Sequence, residues 1–189
     1  MQSRFLKVSA VTLSLLLTAC STPIKNVIVN PELLATNNNA YQQKQAQISF
    51  TDLRRANHVV QVLRTNEAAE LYSPQEPLVS IINSALSAGF KANGLQLQPL
   101  AANQFEIIID NALISVQQEL VKYKAHNEIQ IRVIAKNGQK TLTKTFKITG
   151  NSNGPFKADI AVLERDFNQQ LTKLLTQITQ NKELQQFIN

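Results

Sequence analysis

The chemistry available to this chain starts with one thiol. Cys20 is the only cysteine among 189 residues, and it directly follows Leu17, Thr18 and Ala19. A thiol gives a strongly nucleophilic thiolate and can be alkylated to a thioether, which survives where an ester would hydrolyse. Two histidines, His58 and His126, lack the further ligands that a four-coordinate zinc site needs. Carboxylates such as Asp52, Glu106 or Asp110, placed on or beside strands, could act in a pair as acid and base. Arg132, Lys136, Lys140 and Lys147 are the core of a basic run from Lys122 to Lys157 that is opposed only by Glu128. The chain has no Gly-x-Ser-x-Gly elbow, and five glycines provide no phosphate-cradling loop. The sequence therefore calls for no metal, no cofactor and no catalytic residue.

What precedes Cys20 gives it a role. Arg4 and Lys7 open the chain, and an apolar stretch of about a dozen residues runs from Val8 to Ala19. Crossing a bilayer takes about 20 residues, so this stretch is a cleaved leader and not a membrane span. Leu17-Thr18-Ala19-Cys20 resembles the lipobox of bacterial lipoproteins. In that class the thiol receives a diacylglycerol, the leader is cut before the cysteine, and the new amine is acylated with a fatty acid such as palmitate. Residue 21 is Ser, where Asp favours retention at the inner membrane. The expectation is a lipid-anchored outer-membrane protein whose domain faces the periplasm.

The whole chain carries 19 basic against 13 acidic side chains. Losing Arg4 and Lys7 with the leader leaves 17 against 13, a net charge of +4. That is too mild a balance for a nucleic-acid binder. Residues 20–45 read as a lipidated tether, with Pro23, Pro31 and the run Asn37-Asn38-Asn39. Ile24–Leu34 is more apolar and fits equally against the domain or the membrane surface. Residues 46–189 read as one domain, large enough to fold without disulfides.

Within that domain, Ile48 and Phe50 alternate with polar residues as in a half-buried strand. His58–Arg64 and Ala69–Tyr72 are further β-rich runs. Ser73, Pro74 and Glu76 form a helix-start signal, and Leu78, Ile81, Ile82, Ala85 and Leu86 supply its apolar stripe, with Gly89 placed to end it. Phe105, Ile107 and Ile109 mark another strand. Asn137-Gly138 predicts a type I′ hairpin in which Ile129 faces Phe146, Val133 faces Leu142 and Glu128 meets Lys147. Gly150–Gly154 reads as a loop. Asp159 caps a helix whose stripe runs from Ile160 to Ile178, and Asn181 caps a short last helix. The fold class is α+β: an antiparallel sheet of about five to six strands, with two amphipathic helices packed on one face.

Several of these segments together resemble the YajG-type bacterial lipoproteins. They are the lipobox, Ile48-Ser49-Phe50-Thr51 running into Asp52-Leu53-Arg54, Leu71-Tyr72-Ser73-Pro74, Asn137-Gly138, Gly154-Pro155-Phe156 and Phe187-Ile188. The resemblance spans nearly the whole mature domain and is strongest from Glu119 onward; around Arg55–Asn66 the chain is shorter than the pattern. It implies a Gram-negative lipoprotein and offers no catalytic motif to carry over.

The function expected from the sequence is a non-enzymatic binding or accessory module of the cell envelope. It would hold the membrane through its N-terminal lipid and meet an envelope protein, a lipid headgroup or a wall polymer. Arg132, Lys136, Lys140 and Lys147 are the candidate binding residues. One alternative is an envelope hydrolase with paired carboxylates acting on wall or lipid substrates. Another is a small-ligand carrier with a cavity between helices and sheet.

Overall fold

The computed structural model describes residues 25–33 and 39–188. In chain order the elements are β1 (Lys25–Val27), β2 (Gln45–Asp52), β3 (Val60–Leu63), β4 (Glu70–Pro74), α1 (Leu78–Ala92), β5 (Gln96–Leu97), β6 (Asn103–Gln118), β7 (Lys122–Asn137), β8 (Lys140–Pro155), α2 (Ile160–Thr179) and α3 (Lys182–Phe187). Leu17, Thr18, Ala19 and Cys20 lie outside the described residues.

The sheet is built on β6. One edge of β6 pairs along its length with β7, which pairs with β8, and both ladders are antiparallel. The other edge is shared. β2 runs parallel to the first half, from Gln47 opposite Gln104 to Asp52 opposite Ile109. β3 runs parallel to the second half, from Val60 opposite Ile114 to Leu63 opposite Gln117. β4 joins β3 antiparallel, while β1 and β5 pair parallel with β4 and β2. The class is α+β as expected, but the sheet has eight strands among the described residues and mixes both pairing senses. Alternation reports which face of a strand is buried and carries no information on its direction. The parallel β2–β6 pair becomes possible because α1 lies in the connection between them, long enough for a crossover.

A bulge interrupts β6 at Asp110, between Ile109 and Asn111. Before it, Phe105, Ile107 and Ile109 face the helices; after it, Ala112, Ile114 and Val116 do. The extra residue shifts the parity, so Leu113 points away from the core despite its apolar side chain. The bulge falls where β2 gives way to β3 on the neighbouring edge. There Leu53 N–H bonds Ile109 O at 3.0 Å, and Ile114 N–H bonds Val59 O at 2.8 Å.

The β7–β8 hairpin forms with a shifted turn. Asn137 opposes Lys140, so the loop is Gly138-Gln139, with Gly138 at φ +58°. Glycine at the first central position belongs to a type II′ turn, not the type I′ turn expected from Asn-Gly. Each cross-strand pair therefore moves by two residues: Ile131 opposes Phe146, and Val133 opposes Lys144. A shift of two preserves the faces, and Ile129, Ile131, Val133, Ala135 and Phe146 are buried together as the alternation requires. Gly150–Gly154, expected as a loop, continues β8 opposite Tyr123–Asn127.

Both long helices cover the same face of the sheet. Leu78, Ile82, Leu86 and Phe90 of α1 are buried, as are Leu163, Phe167, Leu171, Leu174, Leu175 and Ile178 of α2. Phe90 lies at the centre, stacked on Phe105 at 5.4 Å and edge-on to Tyr41 at 5.5 Å. The Ser73-Pro74 signal belongs to β4, and α1 starts after Pro77 with no side-chain cap. Gly89 lies inside α1, where a Cβ would come 3.0 Å from Thr179 Cγ2. The helix ends further on in a Schellman motif: Leu95 N–H bonds Phe90 O, Gly94 N–H bonds Lys91 O, and Gly94 takes φ +92°. Asp159 and Asn181 cap α2 and α3 through Ala161 N–H and Leu184 N–H.

Residues 25–33, assigned from sequence to the tether, lie on the domain. Val27 and Val29 are buried, and so is Tyr41 before β2. The backbone between Val27 and Pro31 is held by side chains. Gln75 brackets Val29, Glu164 accepts from Ile28 N–H at 2.7 Å, and Asn168 bonds both Asn30 N–H and Ile28 O at 2.8 Å. Packing thus begins well before Ala46.

Candidate functional site: the end of the long strands

The basic residues proposed from sequence do not form one free patch. Arg132 and Lys147 share the sheet face turned away from the helices, but each has a carboxylate. Arg132 bonds Asp110 at 2.7 Å, and that hydrogen bond holds its guanidinium protonated above its ordinary range. Lys147 bonds Glu128 at 2.7 Å, and this contact, with Asn111, holds the Glu128 carboxyl below the usual carboxylate range. The Glu128–Lys147 pairing expected from sequence forms, but diagonally across the shifted ladder. Lys136 and Lys140 stand exposed beside the Gly138 turn. Lys144 lies on the helix side and pairs with Glu183 of α3 at 2.6 Å.

The carboxylates are similarly committed. Asp52 takes a two-point bond from Arg54, at 3.0 and 2.8 Å, and Arg54 is only 6% exposed in its side chain. Asp110 is engaged by Arg132, while Glu106 stands near the same guanidinium. His126 bonds Asn151 at 2.8 Å on the exposed sheet face, and His58 precedes β3. Among the described residues no group of His, Cys, Asp and Glu could hold a metal ion.

The space expected between helices and sheet is small. A cavity of about 70 Å³ lies under α2, lined by Ile114, Asn127, Gly150, Leu163 and Gln170 among others. Asn127 is 5% exposed, and neither its amide nitrogen nor its amide oxygen has a hydrogen-bond partner. Room for about two waters is too little for a carried ligand of ordinary size.

A larger feature was not found from the sequence. Where β6 turns into β7, Leu120 is 99% and Val121 67% exposed, and Phe156, just after β8, is 72% exposed. Beside them opens a cleft of about 830 Å³, lined by Arg64, Thr65, Glu67, Gln118, Glu119, Leu120, Val121 and Lys157. The Gln118 side chain ties the three chain segments of this end together. Its amide nitrogen donates to Glu119 O at 2.7 Å and Phe156 O at 2.9 Å, and its oxygen accepts from Ala158 N–H at 2.9 Å. Phe156 N–H bonds Val121 O at 2.8 Å. These bonds hold Phe156 at φ +60°, a conformation that costs an L-residue about 1–2 kcal/mol. The signal was Leu120-Val121 between polar residues at a strand turn, together with Phe156 immediately after Pro155; neither joins an alternating pattern.

Comparison with known proteins agrees with the resemblance seen in the sequence. A family model described as "Uncharacterized lipoprotein" matches residues 31–189. The uncharacterized lipoprotein YajG of Escherichia coli K12 is 24% identical over 176 residues, covering 92% of this chain and 91% of that protein. In fold, the chain is similar to the crystal structure of protein XCC0632 from Xanthomonas campestris. The TM-score is 0.56 at 15% identity, over 80% of this chain and 91% of that one.

Proposed function

The chain belongs to this uncharacterized lipoprotein family, and on that premise we propose that it is a non-enzymatic binding or accessory module of the cell envelope. It is anchored by lipid on Cys20 in the outer membrane, with its domain in the periplasm. The observation that carries this reading is the engagement of its charged groups. Asp52–Arg54, Asp110–Arg132 and Glu128–Lys147 are closed pairs along the sheet, not side chains converging on one cleft. A hydrolase would need two carboxylates aimed at one bond. The open surface of the domain is suited instead to contact with another envelope component.

Two measurements test the reading. Radiolabelled palmitate enters the protein and is lost in Cys20→Ser, which also releases the domain from the membrane fraction. Cross-linking in intact cells, followed by purification, recovers an envelope protein or polymer. Unlabelled protein, or recovery of the chain alone, argues against it.

A further inference from the structure

We propose that the end of the fold formed by Leu120, Val121 and Phe156 is a bilayer-contacting edge, seated in the interface of the membrane that holds the chain's own lipid. This rests on the lipid-anchor reading of Cys20 and adds an orientation to it.

The direction of the strands supplies the first argument. Lys25 is level with Tyr72, Tyr72 with Val60, and Val60 with Ile114, so the start of β1 can be placed along β6. β1 runs parallel to β4, whose first residue, Glu70, lies opposite Val62 near the Leu63–Gln117 end of the sheet. The chain therefore enters β1 from the side of Leu120. Glu70 fixes that entry: it bonds Lys25 at 2.7 Å and also pairs with Arg64, which lines the cleft beside Leu120.

Reach supplies the second. Leu120 lies about six strand residues beyond Ile114, or about 20 Å. The five residues from Cys20 to Lys25 span at most about 17 Å when extended. The turn at Gly138 lies about 36 Å from the level of Asn127, opposite Ile114, in the other direction. Fully extended, these residues bring Cys20 to within about 3 Å of the level of Leu120, close enough for its lipid to enter the same membrane surface, while the far turn stays out of range.

The chemistry of the end supplies the third. Three exposed apolar side chains project where Gln118 and the left-handed backbone at Phe156 hold them, although burying Phe156 would remove it from water. Lys122, Lys124 and Lys157 flank them, all exposed, and Lys122 pairs with Glu119 at 3.3 Å. Apolar tips ringed by long cationic side chains suit the boundary between acyl chains and anionic headgroups, with a burial of about 5–10 Å.

The experiment uses the full lipidated protein in phosphatidylethanolamine vesicles containing phosphatidylglycerol. With Cys20 converted to a thioether, Leu120→Cys, Val121→Cys, Phe156→Cys or Lys140→Cys supplies a single thiol for an environment-sensitive fluorophore. The expected result is a blue shift, and roughly twofold or greater quenching by brominated acyl chains, at 120, 121 and 156 but not at 140. The double variant Leu120→Glu with Val121→Glu, both exposed and outside the core, removes the quenching at 156 while the protein still floats with the vesicles. Flotation without quenching at any of the three positions overturns the orientation and leaves the anchor standing. Failure to float overturns both. A blue shift that grows with protein concentration and ignores brominated lipid assigns the edge to a second copy of the chain and overturns the proposal.

Discussion

The side-chain amide of Gln75 brackets the backbone of Val29, accepting from its N–H at 2.8 Å and donating to its C=O at 3.1 Å. Gln75 follows β4 directly, so a side chain continues the β1–β4 pairing where the strands themselves stop. Val29 is 2% exposed, and its backbone groups have little water to turn to if the amide is lost.

Gln75→Ala should therefore cost about 2 kcal/mol or more, from two partly buried backbone groups left without this partner. Urea denaturation measures the loss, and hydrogen exchange at the Val29 amide should accelerate with it. A change below about 0.5 kcal/mol would mean that residues 28–30 are held by Glu164, Asn168 and the burial of Val27 and Val29 alone.

Glu70 gives the same region a pH dependence. Hydrogen bonds from Lys25, then Arg64, outweigh desolvation, with Tyr72 adding a further bond, and lower its carboxyl to about 2. The unfolded chain titrates this group near about 4.3. Because the folded value is the lower one, its stabilisation is complete above about pH 5 and is lost as pH falls toward about 2. Thermal melts of Glu70→Gln should show a shallower decline across that acid range than the wild type. Parallel curves would locate the acid sensitivity elsewhere, for instance at Glu128.

Much of the fold is legible in the sequence because its alternation and capping are local. The stripe of α2, the caps Asp159 and Asn181, and the inward set Ile129, Ile131 and Val133 all follow from periods of 3.6 or 2. Three features are not local. Strand direction at β2 and β3 depends on the whole crossover through α1. The bulge at Asp110 exchanges faces midway through β6, with no glycine or proline to mark it. Residues 25–33 are held by partners distant in sequence: β4 pairs with β1, and Gln75, Glu164 and Asn168 bond the backbone beyond it. The candidate site was missed for a related reason. Leu120, Val121 and Phe156 break no rule singly, and only the alignment of three strand ends brings them together.

Two glycines separate conformation from crowding. At Gly94, with φ +92°, a Cβ would come 3.1 Å from the backbone nitrogen of Gln42, whereas at Gly138, with φ +58°, it would meet nothing within 4 Å. Gly138→Ala should cost about 1–2 kcal/mol, the penalty of placing a Cβ at the positive-φ first position of a type II′ turn. Gly94→Ala adds a contact that backbone must yield to, and it should cost about 2–3 kcal/mol. Chemical denaturation of the two variants side by side checks the order; equal losses would show that the Gln42 backbone gives way freely.

The last prediction concerns Asn127, whose two amide atoms have no partner at 5% exposure beneath α2. Its neighbours in the cavity include Ile114, Ala125 and Leu163 together with Ser152, Asp166 and Gln170, whose Oε1 is likewise unpartnered. Leucine is close to asparagine in shape and removes two groups that are costly to desolvate. Asn127→Leu should therefore stabilise the fold by about 1 kcal/mol in urea denaturation, with the gain falling if Gln170→Leu is introduced as well, because the two side chains share the cavity. Glu128 and His126 flank Asn127 but point to the opposite face, whereas Asp166 lines the same cavity, so the variants are compared at one pH. A loss of more than about 1 kcal/mol would instead identify Asn127 as a bound-water ligand, and ordered solvent bonded to its amide in a crystal structure would confirm it.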